Sequence, residues 1–150
     1  MKIIYKQGDL LECSERVIVH GCNAQGVMGS GVAKAIKEKY PEAYAGYMST
    51  HENGGLELGE VIGVYSGDKL ILNAITQRYY GRYKYKVYAD YEAIREAFKS
   101  INEQCTYSAI AMPKIGAGLA NGDWNIIEKI IEDECTDVQV VVYVLEGEGL

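Results

Sequence analysis

The sequence predicts an α/β fold in which helices cover both faces of a largely parallel sheet. Three observations carry this. Short apolar runs alternate with segments of helical spacing along the whole chain. Two of those runs, Val17-Ile18-Val19 and Ala109 to Met112, lead through glycine-rich turns into helices. Asp90 to Gln104 repeats apolar residues every three or four positions: Tyr91, Ile94, Phe98 and Ile101.

Taken in order, Lys2-Ile3-Ile4-Tyr5 reads as the first strand, and Gly8-Asp9-Leu10-Leu11 turns the chain. Asp9 suits a turn or cap. Its carboxylate equally suits an acceptor for an amino group such as adenine N6. Arg16 to Val19 is too short and too apolar to alternate, which fits a central strand covered on both sides. His20 to Gly31, HGCNAQGVMGSG, then forms a glycine-rich turn. Ser30 is placed to cap a helix that carries Val32, Ile36 and Tyr40 on one face. Tyr40-Pro41 breaks that helix, and Glu42 to Thr50 continues as a second one. His51 to Gly55 is a loop, with His51 expected at the surface.

Glu60 to Tyr65 and Lys69 to Leu72 read as a hairpin joined by Ser66-Gly67-Asp68. Next comes Gln77 to Tyr88, QRYYGRYKYKVY, where Arg78, Arg82, Lys84 and Lys86 interleave with tyrosines. Such a segment attracts phosphates and offers rings for stacking, or else is a surface loop whose tyrosines pack onto the body of the domain. The amphipathic helix to Gln104, a buried strand at Ser108 to Met112 and a second glycine turn at Gly116 to Gly122 follow. A helix over Trp124 to Glu134 buries Ile127, Ile130 and Ile131, and Val138 to Leu145 is the closing strand. No repeat or linker interrupts the chain, so one domain over residues 1–150 is expected.

Composition narrows the function. A net charge of -6 argues against a general nucleic-acid or anionic-membrane binder. Cys13, Cys22, Cys105 and Cys135 have no CxxC spacing and there are two histidines, so no metal or other cofactor is expected. Scattered cysteines without a signal peptide read as reduced thiols in the cytoplasm. No apolar run reaches the length of a membrane span, and a monomer is expected. The outlying feature is 13 tyrosines against one phenylalanine.

A glycine-rich turn opening a helix offers unpaired N–H groups and the positive end of the helix dipole to an anion. One such turn serves equally well as plain chain reversal. Two in one small domain point to an extended phosphate-bearing ligand held between them. Neither turn fits the GxGxxG dinucleotide fingerprint, and no Walker lysine-serine pair is present.

Four stretches resemble a macro domain, the ADP-ribose-binding module. They are Gly8-Asp9-Leu10, HGCNAQGVMGSGVAKAIKEKYP, IGAGLANGDW at Ile115 to Trp124, and Val142-Tyr143-Val144-Leu145. The resemblance covers essentially the whole chain. It is nearest to the branch with ADP-ribose-1''-phosphate phosphatases, terminal ADP-ribose glycohydrolases and macro-domain antitoxins. It implies a three-layer α/β/α sandwich around a mixed, roughly six-stranded sheet. It also implies roles. Asp9 would bind the adenine amino group, with Leu10 beside it and Tyr143 near the base. Gly29, Ser30, Gly31 and Val32 would cradle one side of the diphosphate. Gly116, Ala117, Gly118, Leu119 and Ala120 would hold the other side and reach the distal ribose, to which Asn23 would hydrogen-bond.

The expected ligand is ADP-ribose or ADP-ribose-1''-phosphate, and the expected reaction is hydrolysis of that phosphomonoester. Removal of ADP-ribose from modified macromolecules, or binding without turnover, are the alternatives. His20 is either a core histidine or a general acid, and Asp123 is either a helix cap or a base for water. Glycohydrolases of this branch carry a lysine after the threonine that follows the fourth strand and an aspartate after the GxGL stretch. This chain has Gln77 and Ala120 there, which counts against covalent removal of ADP-ribose.

Overall fold

A computed structural model describes residues 1–145. Six strands form one sheet: β1 (Ile4–Gln7), β2 (Val17–Asn23), β3 (Val61–Ser66), β4 (Lys69–Gln77), β5 (Ala109–Met112) and β6 (Gln139–Val144). Their spatial order is β1-β6-β5-β2-β4-β3. Every pairing is parallel except the β3–β4 hairpin. The four helices are α1 (Gly31–Lys39), α2 (Pro41–Glu52), α3 (Tyr91–Gln104) and α4 (Trp124–Glu134). A 3-10 turn at Leu10–Glu12 follows β1, capped by the Asp9 carboxylate, which accepts from the Leu11 N–H at 2.9 Å.

Alternation along the central strands builds the three layers. Val17 and Val19 pack with Ile94, Phe98, Ile127 and Ile131 of α3 and α4. Ile18, between them, faces the other way onto Ile36, Tyr40 and Ala43 of the α1–α2 layer. Among the described residues no helix is long and apolar enough to cross a membrane.

Two central strands run further than expected. β2 ends at Asn23 rather than Val19, and β4 ends at Gln77 rather than Leu72. The apolar pattern stops at His20 and at Asn73, but the ladder does not. These two residues lie opposite each other in the register, and His20 Nε2 lies 2.6 Å from Asn73 Oδ1. A polar pair that satisfies itself can sit inside a sheet. Two smaller expectations also fail. Ser30 makes no side-chain cap on α1. His51 is half-buried rather than exposed: a Cβ added at Gly26 would lie 2.7 Å from the His51 ring.

Candidate functional site

The parallel strands all end on one edge of the sheet, where ligands collect in open α/β folds. There the loops after β2, β4 and β5 enclose a cleft of about 420 Å³. Its floor is the C-terminal end of β2 at Gly21, Cys22 and Asn23, beside Thr76 and Gln77 at the end of β4. Gly21 is needed here, because a Cβ would lie 2.7 Å from Thr76 Oγ1 and 3.2 Å from Ile115 Cγ2. One wall is Gly29 to Ala33. The other is Pro113 to Gly116 with Gly118 to Ala120. A Cβ at Gly31 would lie 3.8 Å from Leu119 Cδ1, so the two glycine loops face each other across the mouth.

The electrostatics favour an anion. The first-turn N–H groups of a helix have no intrahelical acceptor. In α3 and α4 an aspartate side chain takes one: Asp90 accepts from Ala93 and Asp123 from Asn125. In α1 no side chain does, and Gly31, Val32 and Ala33 all line the cleft. Lys114 and Arg82 also line it, and none of the lining residues is acidic. An uncapped helix end and two cations thus meet in a protein of net charge -6.

Asn23 holds the first loop. Its Oδ1 accepts from the N–H groups of Gln25 (2.9 Å) and Val27 (3.4 Å), and its Nδ2 donates to Val27 O at 2.8 Å. One amide hydrogen remains for a ligand. The buried Tyr47 of α2 completes the clamp. Its hydroxyl accepts from Gly26 and Val27 N–H, each at 3.1 Å, and donates to Asn23 O at 2.7 Å. Tyr47→Phe should cost about 2 kcal/mol, since Gly26 N–H and the Asn23 carbonyl lose this partner and Val27 N–H keeps only its longer bond to Asn23 Oδ1. In thermal unfolding that is a fall of about 6 °C. An unchanged midpoint would show that water replaces the hydroxyl.

The expected site residues divide into three groups. Asn23, Gly29, Ser30, Gly31, Val32, Gly116, Gly118, Leu119 and Ala120 come together in the cleft, while Ala117 lies in the same loop off its wall. Asp9, Leu10 and Tyr143 lie at the same sheet edge, at the ends of β1 and β6. That places them about two to three strand spacings of about 4.8 Å along. Leu10 is buried in the core, whereas the Asp9 carboxylate is exposed. Tyr143 donates to Glu15 Oε1 at 2.6 Å. Burial, then that bond, push its phenol up to about 12.

His20 and Asp123 form the third group, and neither lines the cleft. His20 is fully buried within β2. Asn73 Nδ2 donates to the Ala43 and Ile62 carbonyls, each at 3.2 Å, so its Oδ1 is left to accept from His20 Nε2–H. Burial, opposed only in part by this bond, pushes the imidazole down to about 4. A general acid at the cleft does not fit that position, because the longer β2 carries the residue into the core. Asp123 is exposed and caps α4. Its own N–H donates to Tyr91 Oη at 3.0 Å. The carboxylate faces the helix end, not the cleft floor. Among the described residues no group of three or more His, Cys, Asp and Glu is placed to hold a metal ion.

Sequence reasoning missed Lys114 and Tyr47. Lys114 follows the apolar run of β5 by two residues, at a strand end where ligand contacts concentrate, and that position was a usable signal. Tyr47 left none, since a tyrosine in a helix reads the same whether it clamps a loop or fills a core.

A family model described as Macro domain matches residues 19–131. The DNA ADP-ribosyl glycohydrolase of Mycobacterium tuberculosis is 29% identical over 152 residues, which is 97% of this chain. The chain spans only 43% of the length of that relative. An ADP-ribose 1''-phosphate phosphatase of Neosartorya fischeri is 45% identical over 53 residues, covering 35% of this chain and 26% of the relative. Among solved structures, the macrodomain of Mycobacterium tuberculosis DarG has a TM-score of 0.80 and 26% identity, covering 94% of this chain and 96% of that one.

Proposed function

Because the chain belongs to the Macro domain family, we propose that its cleft binds ADP-ribose and hydrolyses the phosphomonoester of ADP-ribose-1''-phosphate. The observation that carries this reading is a cleft with no acidic lining residue, where the uncapped start of α1 meets Lys114 and Arg82. In this reading Gly29 to Val32 and Gly116 to Ala120 hold the diphosphate from two sides. Asp9 accepts from the adenine amino group at the far end, with Leu10 and Tyr143 beside the base. The remaining Asn23 amide hydrogen reaches the distal ribose.

The 1''-phosphate then lies over the cleft floor near Lys114. Transfer of a phosphoryl group to water passes through a loose transition state, for which positioning and charge stabilisation do most of the work. Water oxygen bonds to phosphorus as the P–O1'' bond breaks. The departing ribose oxygen takes a proton from solvent, and ADP-ribose and inorganic phosphate leave. The cleft lining holds no carboxyl or imidazole group to supply that proton, so turnover is slow. Incubating the protein with ADP-ribose-1''-phosphate and measuring released phosphate tests the reading. No release above the uncatalysed rate, with ADP-ribose still bound in titration calorimetry, would reduce it to binding alone.

Removal of ADP-ribose from a macromolecule is the second reading, favoured by the glycohydrolase relative. Against it, position 77 at the end of β4 carries a neutral amide whose Nε2 donates to Tyr79 O at 2.8 Å. An amide cannot form the adduct that an amine can. We expect no borohydride-trapped adduct and little ADP-ribose released from glutamate-modified protein or thymidine-modified DNA. Release at a rate matching the phosphatase reaction would make the glycohydrolase reading the better one.

Arg82 lines the cleft and Arg78 lies exposed nearby. Their joint replacement by alanine should weaken ADP-ribose binding about fivefold at low salt and by less at high salt, where screening already removes exposed attractions. Titrations at two salt concentrations check it, and a salt-independent loss would assign the arginines a packing role.

A further inference from the structure

The tyrosine-rich segment after β4 does not pack onto the body of the domain. Tyr79, Tyr80, Tyr83 and Tyr85 keep relative exposures of 54%, 56%, 78% and 101%. Only Tyr88 is buried, and its hydroxyl accepts from Tyr83 N–H at 3.2 Å. The backbone beneath these rings is nevertheless tied down at both glycine loops. Tyr80 N–H donates to Gln25 Oε1 at 2.9 Å, and Ala24 N–H to Arg78 O at 3.2 Å. On the other side Asn121 Nδ2 donates to the carbonyls of Tyr83 and Lys86, each at 2.9 Å. Asn121 is also the one non-glycine residue with a positive φ, 58°, among the described residues. A strained backbone position is thus spent on holding this segment in place. Lys86 N–H closes a turn onto Tyr83 O at 3.2 Å, with Lys84 and Tyr85 at its tip.

Exposed apolar surface of this extent on an anchored backbone marks a binding surface. Its chemistry is specific. Arg78, Arg82, Lys84 and Lys86 are all exposed, and the stretch 78–89 contains no acid. Lys86 already lies over the Tyr79 and Tyr88 rings, at 5.7 and 5.2 Å. Alternating cations and uncovered rings match a polymer that alternates anions with flat apolar faces. An acidic peptide matches only the cations. A duplex matches only the cations too, because its base faces are stacked on one another.

We propose that residues 78–87 are a platform for single-stranded nucleic acid, leading to the mouth of the cleft. Bases stack on Tyr79, Tyr83 and Tyr85, and phosphates pair with the interleaved cations. The overall charge of -6 does not oppose this, because charges more than a Debye length from the platform are screened. This surface is independent of which reaction the cleft performs.

The test is fluorescence anisotropy with a labelled oligothymidylate of about twelve nucleotides, within the span that single-strand binding modules cover. Binding should tighten as salt falls and should be weaker for a duplex of equal length. The triple variant Tyr79→Ala, Tyr83→Ala, Tyr85→Ala should bind at least about tenfold more weakly, as stacking energies imply. The matching Tyr→Phe triple should retain most of the affinity. Thermal unfolding and ADP-ribose titration of both variants should match the parent, since none of the three residues lines the cleft. Loss of oligonucleotide binding with ADP-ribose binding intact supports the platform whatever the cleft does. No oligonucleotide binding by the parent protein overturns the proposal. So does an alanine triple that binds as well as the parent, or equal competition by polyglutamate of the same length.

Discussion

Gly31→Glu should abolish ADP-ribose binding, by at least about a hundredfold or near 3 kcal/mol. Gly31 opens α1 with φ +62°, a conformation that a residue with a Cβ adopts at a cost of about 1 kcal/mol. The larger part of the effect is the carboxylate. It would enter the narrow mouth opposite Leu119, beside the N–H groups that the proposed diphosphate needs. Like charge then replaces the positive end of the helix. Titration calorimetry with ADP-ribose measures the loss. Gly54→Glu is the control: it places the same charge on a positive-φ glycine, φ +127°, with nothing within 4 Å of the added Cβ. That variant should bind as the parent does. If Gly31→Glu binds normally, the ligand does not pass between the two glycine loops.

The second large effect concerns pH. Burial holds the His20 imidazole down at about 4, while an unfolded chain returns it to about 6.5. Between these values the unfolded chain binds a proton that the folded one refuses. The folded state therefore keeps its full stability above about pH 6.5, loses it as pH falls, and levels off below about pH 4. The loss is about 3 kcal/mol. Urea unfolding of the parent and of His20→Gln, measured from pH 7 to pH 4, isolates it, because other titrating groups cancel in the difference. The parent should lose about 3 kcal/mol more than the variant. Parallel curves would mean that the imidazole is not held neutral in the fold. The same variant should release phosphate from ADP-ribose-1''-phosphate at nearly the parent rate, since the ring lies under α2 and not in the cleft.

His20 shows how far the sequence could be followed. The HGCN stretch identifies a strand end next to a glycine turn, but not how many residues the strand still has to run. β2 continues to Asn23 because β4 continues beside it, and the polar His20–Asn73 pair hides that continuation from any reading of apolar periodicity. Asp123 is a similar case: a residue at a helix start next to a ligand loop can serve either, and only its bond to Asn125 N–H assigns it to the helix. The tyrosines of residues 79–85 are the converse. Their composition allowed a packed loop or an exposed one, and the choice depends on Gln25 and Asn121, distant in sequence, which fix the backbone and leave the rings outside.

The sequence by itself determined the alternation of strands and helices, the apolar faces of the long helices, both glycine turns and the family. Those properties are local, written in spacing, in turn residues and in contiguous motifs. The tertiary structure alone decided which polar groups meet. It set Lys114 across one cleft from the uncapped start of α1, Tyr47 beneath the first glycine loop, and His20 in the core rather than the cleft. Periodicity reports which face of a segment is buried, but a hydrogen bond or an ion's neighbour depends on the residue across the gap. That residue is chosen by strand register and helix packing between segments far apart in the chain.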